Sequence, residues 1–291
     1  MKKVLIVGSS NMDYTLYIDN FPLPGETISG NSKFVQPGGK GANQAAAVAK
    51  SRLVEGHFIT CLGKDADGKI IKETLSNLGL NLHVKETDVC TGNATIMVDS
   101  ASENEIIIVA GANGVLTIND IDLSLLKAAD FVILQNEIPM VINEYIIEKS
   151  HEFGVNVIYN PAPYKNIKNE CLAKLHTLIL NEVELEQASG KKDVDEGAKL
   201  LLGLGIKNVL VTLGKEGSIC YSGNEKTIVT AKKVKAVDTV AAGDTYVGYF
   251  TSVLAQSGDI KTAMEIATKA SAITVSRKGS IVSIPSFDEI N

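Results

Sequence analysis

A short apolar run, Val4 to Val7, opens the chain and stops at Gly8-Ser9-Ser10. A continuous apolar run bounded by small polar residues is the pattern of a strand buried on both faces and leading into a loop. Similar runs recur at Phe58 to Leu62, Phe131 to Leu134, Val155 to Tyr159, Leu178 to Leu180 and Val209 to Leu213. Between them, helical spacing of apolar positions predicts helices over Gly41 to Ser51, Ile70 to Leu78, Val141 to Phe153 and Val194 to Leu204. Two further helices are predicted over Ala241 to Ala255 and Ile260 to Ser276. Strands alternating with helices predict an α/β fold, a Rossmann-like, mostly parallel sheet sandwiched by helices.

Two stretches break this rhythm. Tyr14 to Lys33 alternates polar and apolar residues around Pro22, Pro24 and Gly25, and Ala94 to Ser100 with Glu105 to Val109 reads as a hairpin across Ala101 to Asn104. Together they predict a small β-sheet lid, its strands drawn from about 14–33 and 94–109, inserted in a single domain spanning 1–291. A flap beside the strand ends of a parallel sheet is placed to close over a small ligand. The sequence has no internal repeat, low-complexity segment or linker.

Composition narrows the partners. With 45% hydrophobic and 21% charged residues the chain can bury a sizeable core. A formal charge of -6 argues against a nucleic-acid-binding role but not against a nucleotide, which a few backbone amides and one or two cations can hold. The basic start at Met1 leads into too short an apolar run for a signal peptide, and no apolar stretch reaches the roughly 18 residues of a membrane helix. Cys61, Cys90, Cys171 and Cys220 lack metal-ligand spacing and read as reduced structural thiols; the four histidines show no metal spacing either. The expectation is a cytosolic protein without a membrane partner.

Three segments carry candidate chemistry. Val237 to Thr245 (VDTVAAGDT) sets small residues, Ala241, Ala242 and Gly243, at the start of a helical pattern, so that bare amides could hold an anion. Asp244 in that first turn could take a proton from a substrate hydroxyl, or could simply complement the helix dipole. Pro37 to Gln44 (PGGKGANQ) joins paired glycines to an Ala-rich helix, and its Asn43 offers a donor and an acceptor to sugar hydroxyls. It lacks P-loop spacing, and an ordinary strand-to-helix connection is the competing reading. Gly8 to Asp13 (GSSNMD) follows the first strand, where open α/β sheets present ligand groups; Asn11 and Asp13 are read as alternating in direction, so that Asp13 alone faces the crevice, unless the segment is an Asx turn. Asn181 could be a helix cap, and Thr212 to Gly217 either a nucleotide-contacting turn or a hairpin connection.

In this order, GSSNMD, PGGKGANQA, AGAN (110–113), NPAP (160–163), NEVE (181–184), VTLGKEG (211–217), VDTVAAGDT and SRKGS (276–280) closely resemble the PfkB, or ribokinase, family of carbohydrate kinases. The resemblance runs nearly end to end, and GGKGANQ and RKG resemble its ribose-phosphorylating branch. It implies that Asp244 is the base that deprotonates the 5-hydroxyl of D-ribose, with Ala241, Ala242 and Gly243 as the anion hole. It assigns Asn11, Asp13, Gly39, Lys40, Gly41, Asn43 and Glu137 to the sugar. To ATP it assigns Asn181, Glu184, Thr212, Leu213, Gly214, Lys215, Glu216, Gly217, Gly243 and Thr268, Glu184 belonging to the motif linked to Mg2+. It implies a K+ site at Asp238, Val240, Thr274, Arg277, Gly279 and Ser283, several acting through backbone carbonyls, and a homodimer built through the lid strands. Ala241 stands where many family members have Gly, and Thr268 where Asn or His often flanks the adenine. Rival expectations are a kinase for deoxyribose, a nucleoside or a fructose phosphate, and a non-catalytic sugar-binding protein of the same fold.

Overall fold

The computed structural model describes residues 1–101 and 103–290. The N-terminal part contains β1 (Lys3–Val7), β2 (Asn11–Tyr17), β3 (Ser32–Gly38), α1 (Lys40–Ser51), β4 (Glu55–Gly63), α2 (Ala66–Ser76), β5 (Asn81–Thr87), β6 (Gly92–Val98) and β7 (Asn104–Val109). Next come α3 (Leu123–Ala128), β8 (Phe131–Leu134), α4 (Met140–Phe153), β9 (Asn156–Tyr159), α5 (Asn169–Leu172), β10 (Thr177–Asn181), α6 (Glu182–Ser189), α7 (Val194–Leu202) and β11 (Asn208–Thr212). The last part holds β12 (Ser218–Ser222), β13 (Glu225–Val229), α8 (Ala242–Ser257) and α9 (Ile260–Thr274).

The large sheet has the order β13-β12-β11-β10-β9-β8-β1-β4-β5. From β11 to β5 every pairing is parallel, and β12 and β13 add an antiparallel edge. Strand β1 lies inside the sheet, and its alternate residues feed two separate cores. Val4 and Ile6 pack with α1, α8 and α9, whereas Leu5 and Val7 pack with α3, α4 and α7. Burial on both faces is why its sequence reads as unbroken apolar residues rather than as an alternation. The α/β expectation is met.

Strands β5, β12 and β13 and the short helices α3 and α5 lie outside the predicted set. Strand β5 alternates in character and sits at the sheet edge, and β12 and β13 form a hairpin closed through Gly223. None presents the long apolar run that marked the inner strands.

A second sheet, in the order β3-β2-β6-β7, stands beside the first. Strand β2 begins earlier than the alternation predicted, at Asn11 with only three residues between it and β1, and β3 runs on to Gly38, past the expected bound at Lys33. The turn expected across Ala101 to Asn104 includes Ser102, which lies outside the described residues. Two hydroxyls tie this sheet to the main body: Tyr14 Oη donates to Asp67 at the start of α2 at 2.5 Å, and Ser280 Oγ donates to the Pro37 carbonyl of β3 at 2.6 Å. No helix among the described residues is long and apolar enough to cross a membrane.

Candidate active site

The parallel strands end together, and their C-terminal residues face a cleft of about 440 Å3. Asn160 follows β9, Asn181 ends β10 and Thr212 ends β11, and all three line it. From the small sheet come Asn11 and Asp13, with Ala94, Ile96, Ile106 and Ile108 forming an apolar wall. Both Asn11 and Asp13 therefore face the cleft, contrary to the expectation for Asp13 alone. Residues i and i+2 of a strand share one face.

The glycine segment makes close approaches that side chains would block. A Cβ on Gly38 would overlap the Asp13 carboxylate, and Gly39 has φ 89°, with the position of its absent Cβ only 2.8 Å from the Asn11 amide nitrogen. The turn delivers Lys40 and Asn43 to the cleft wall on the first turn of α1. Gly41 does not line the cleft; it packs on the Ser9 backbone, its amide donating to Ser9 Oγ at 3.2 Å. Glu137, on the loop after β8, accepts from Ser9 Oγ at 2.6 Å and from the Lys40 amide at 3.0 Å. Asn113, in the AGAN segment, holds Asn11 in place by donating to its Oδ1 at 2.7 Å.

Asp244 lies in the first turn of α8, almost wholly buried. Its carboxylate does not cap its own helix. Oδ2 accepts from Asn43 Nδ2 at 3.0 Å and Oδ1 from Gln44 Nε2 at 2.9 Å, both donors coming from α1. The dipole-complement reading thus leaves the side-chain geometry unexplained. Just before it, Ala241 adopts φ 60°, a left-handed conformation that costs an alanine about 1–2 kcal/mol. As in the first turn of any helix, amides are left over there: those of Gly243 and Asp244 have no acceptor among the described residues. Free amides at the N-terminus of a 16-residue helix are suited to holding an anion.

The electrostatics are those of crowded acids around one ammonium. Burial, then the charges of Glu137 and Asp244, push Asp13 up to about 7. Burial also raises Asp244 above the usual carboxylate range, against the pull of Lys40, Asn43 and Gln44. Burial works against the Lys40 ammonium, but Asp244, Glu137 and Glu184 outweigh it and hold its pKa above the ordinary lysine value. Glu184 is raised by burial, opposed by the Asn181 amide and Lys40.

A second cavity, about 680 Å3, opens on the other side of the α8 N-terminus. Gly214, Lys215, Glu216, Gly217, Ala242, Tyr246 and Thr268 line it, and Thr212, Thr239 and Gly243 line both cavities. The turn from 212 to 217 is at once the hairpin connection between β11 and β12 and a cavity wall. Leu213 is the exception: its amide donates to the Gly217 carbonyl at 2.8 Å and its side chain packs into the core. Asn181 does cap α6, in a reciprocal capping box with Glu184, and both residues face the first cleft rather than the second.

The segments expected to hold a monovalent cation also converge. Asp238 accepts from the Val240 amide at 3.0 Å and from the Gly279 amide at 3.0 Å, joining the loop before α8 to the loop after α9. Thr274 is buried and donates to the Ala270 carbonyl, and Ser283 donates to the Ser280 carbonyl. The set offers hard oxygens and no sulfur or imidazole, which suits K+. Arg277 directs its guanidinium to Glu289 at 2.6 Å, so it could contribute only its backbone. Among the described residues no three His, Cys, Asp or Glu side chains gather as a metal cluster. Gln36, unforeseen from sequence, helps fix this region by accepting from the Ser280 amide at 2.9 Å.

Two cavities meeting at a helix N-terminus, with a buried carboxylate beside the junction, suit an enzyme that moves a charged group between two molecules. The comparisons give the family. The pfkB family of carbohydrate kinases matches residues 1–286, and the chain belongs to it. A ribokinase of Staphylococcus aureus is 37% identical over 302 residues, covering 99% of this chain and 98% of the relative. The crystal structure of a ribokinase from Thermotoga maritima superposes with a TM-score of 0.94 at 38% identity, covering 100% of this chain and 98% of that one. The structure of Arabidopsis thaliana ribokinase complexed with ribose and ATP gives 0.91 at 32% identity, covering 99% and 97%.

Proposed function

We propose that the protein transfers the γ-phosphoryl group of ATP to the 5-hydroxyl of D-ribose, giving D-ribose 5-phosphate and ADP. The observation that carries this reading is the position of Asp244, where the cleft meets a second cavity beside free helix amides. The sugar occupies the first cleft, its hydroxyls bound by Asn11, Asp13, Lys40, Asn43 and Glu137 and its carbon face against Ile96, Ile106 and Ile108. Gly39 and Gly41 let the backbone come close. The nucleotide base and ribose occupy the second cavity, between the 214–217 turn and Thr268, with the phosphates directed toward Gly243.

Asp244 takes the proton from the 5-hydroxyl as that oxygen attacks phosphorus and the bond to ADP breaks. The Gly243 and Asp244 amides hold the charge that builds on the transferred group, Ala241 shaping the turn and the Ala242 amide donating to the Thr239 carbonyl, and Lys40 balances the carboxylates around it. Asn181 and Glu184 would face Mg2+ on the nucleotide phosphates, an ion that neutralises developing negative charge. K+ held by the Asp238 carboxylate, the Thr274 and Ser283 hydroxyls and carbonyls near Val240, Arg277 and Gly279 would brace the loop that carries the anion hole.

Among residues lining the first cleft, Lys40 is the sole lysine or arginine, which favours an unphosphorylated sugar over a sugar phosphate. The exposed strand β7, with Ile106, Ile107, Ile108 and Val109 all about half exposed, supports a homodimer formed through a lid made by the small sheet. Four free cysteines, one of them exposed, suit a reducing cytoplasm.

Coupled measurement of ADP against a panel of sugars, with ATP, Mg2+ and K+, tests the reading. Ribose-dependent turnover is expected, and Asp244→Asn should lower kcat by about 10²–10⁴-fold with the fold retained by circular dichroism. Absence of turnover with every pentose would refute the assignment. In the same assay, replacing K+ by Na+ should lower the rate; equal rates would remove the cation from the scheme.

A further inference from the structure

Both oxygens of Asp244 are held by consecutive residues of α1, yet the two donors are not equivalent. Asn43 lines the cleft, where its amide can exchange Asp244 Oδ2 for a sugar hydroxyl. Gln44 lies behind it, with no exposure to solvent. Its Nε2 donates to Asp244 Oδ1 at 2.9 Å and to Asn160 Oδ1 at 3.2 Å, and Asn160 in turn donates from Nδ2 to the Ile179 carbonyl at 3.0 Å. Every partner fixes the direction of the next. Asn160 must present its oxygen because its nitrogen is bound to a backbone carbonyl, and the Asp244 carboxylate in its ionised form can only accept. Gln44 must therefore point its nitrogen at both. Its own Oε1 is left buried without a partner, a cost that makes sense only if the donor side is what the site needs.

We propose that Gln44 is the positioning residue of the general base. It holds Oδ1 from the end of β10 through Asn160, leaving Oδ2 as the atom turned to substrate once the Asn43 amide moves to the sugar. The proton of the attacking hydroxyl then passes to Oδ2 while the new phosphorus–oxygen bond forms and the bond to ADP breaks. Gln44 touches neither substrate, so its effect falls on the orientation and basicity of Asp244 and not on sugar affinity. The inference rests on the kinase reading above.

The charged groups that share this environment are Lys40 on α1, Asp13 on β2, Glu137 after β8 and Glu184 on α6, and all remain in place when Gln44 is changed. In Gln44→Met, which keeps side-chain length and removes the donor, kcat is expected to fall ten- to a hundredfold. KM for ribose should stay within threefold, and the acid limb of the kcat–pH profile should move up by about one pH unit, because the carboxylate loses a hydrogen bond to its charged form. Should the methionine variant not fold, Gln44→Glu keeps shape and polarity while substituting an acceptor for the donor, and should move the limb at least as far. An unchanged kcat, a loss of kcat with the acid limb unmoved, or a rise in KM that accounts for the loss would each overturn the proposal. If the unsubstituted protein itself gives no ribose-dependent ADP, the kinase reading fails first and the proposal with it.

Discussion

Asp13 is an acid kept against its solution preference. In the folded protein it titrates at about 7, against 3.8 for an ordinary aspartate, because burial and the neighbouring Glu137 and Asp244 charges favour the neutral form. Between those two values the native state binds more protons than the unfolded chain. Its contribution to stability is therefore full below the lower value and is lost as pH rises through the upper one. Asp13→Asn should raise the thermal midpoint at about pH 8, by an amount on the order of 2–4 kcal/mol in unfolding free energy, with the gap closing toward about pH 4. Calorimetry across that range would test this; a stability difference independent of pH would contradict it. The same substitution should weaken ribose binding, the usual exchange of stability for function at a site lined with like charges.

At the scale of elements, the decisive contact is the crossing of α1 and α8. The position of a Cβ on Gly248 would lie 2.8 Å from the Gln44 carbonyl oxygen and would collide with the Ala47 methyl, so the glycine lets the two helices touch one turn beyond Asp244. Gly248→Ala would gain about 1 kcal/mol of helix propensity but lose more to crowding, for a net destabilisation of roughly 1–3 kcal/mol. Because α1 carries Asn43 and Gln44, kcat should fall as well. Denaturant titration and single-turnover kinetics would read the two effects separately. This crossing also marks how far the sequence could be read. The inner strands and the longer helices declared themselves through apolar runs and helical spacing, and the glycine and AAGDT segments through small residues that let the backbone approach a ligand. Gln44 did not. In sequence it is one polar residue beside an alanine run, and its partner Asp244 lies 200 positions away. The direction of Asn11 was readable from the period of the strand itself; Gln36 was not, since its partner belongs to the loop after α9.

For the whole molecule, the small sheet is continuous with the site it covers. Its first strand is separated from β1 by three residues and its second runs into α1 through Gly39, so movement of the sheet moves Asn11, Asp13 and Lys40 together. If the exposed strand β7 closes a dimer, Ile107→Asp should shift the sedimentation coefficient toward a monomer and raise KM for ribose more than it lowers kcat; an unchanged mass would place any interface elsewhere. The order of strands and helices has a further consequence during synthesis. By the time β11 has left the ribosome every parallel strand exists, yet the α1 face of the sheet still lacks α8 and α9, which supply Tyr246, Phe250 and Met264 to that core. Domains that rely on such distant pairings expose apolar surface until the partner arrives. A nascent chain of this protein therefore passes through a stage in which the residues proposed to bind the sugar are already made, the proposed base is not, and the side of α1 that will later pack on α8 is still uncovered.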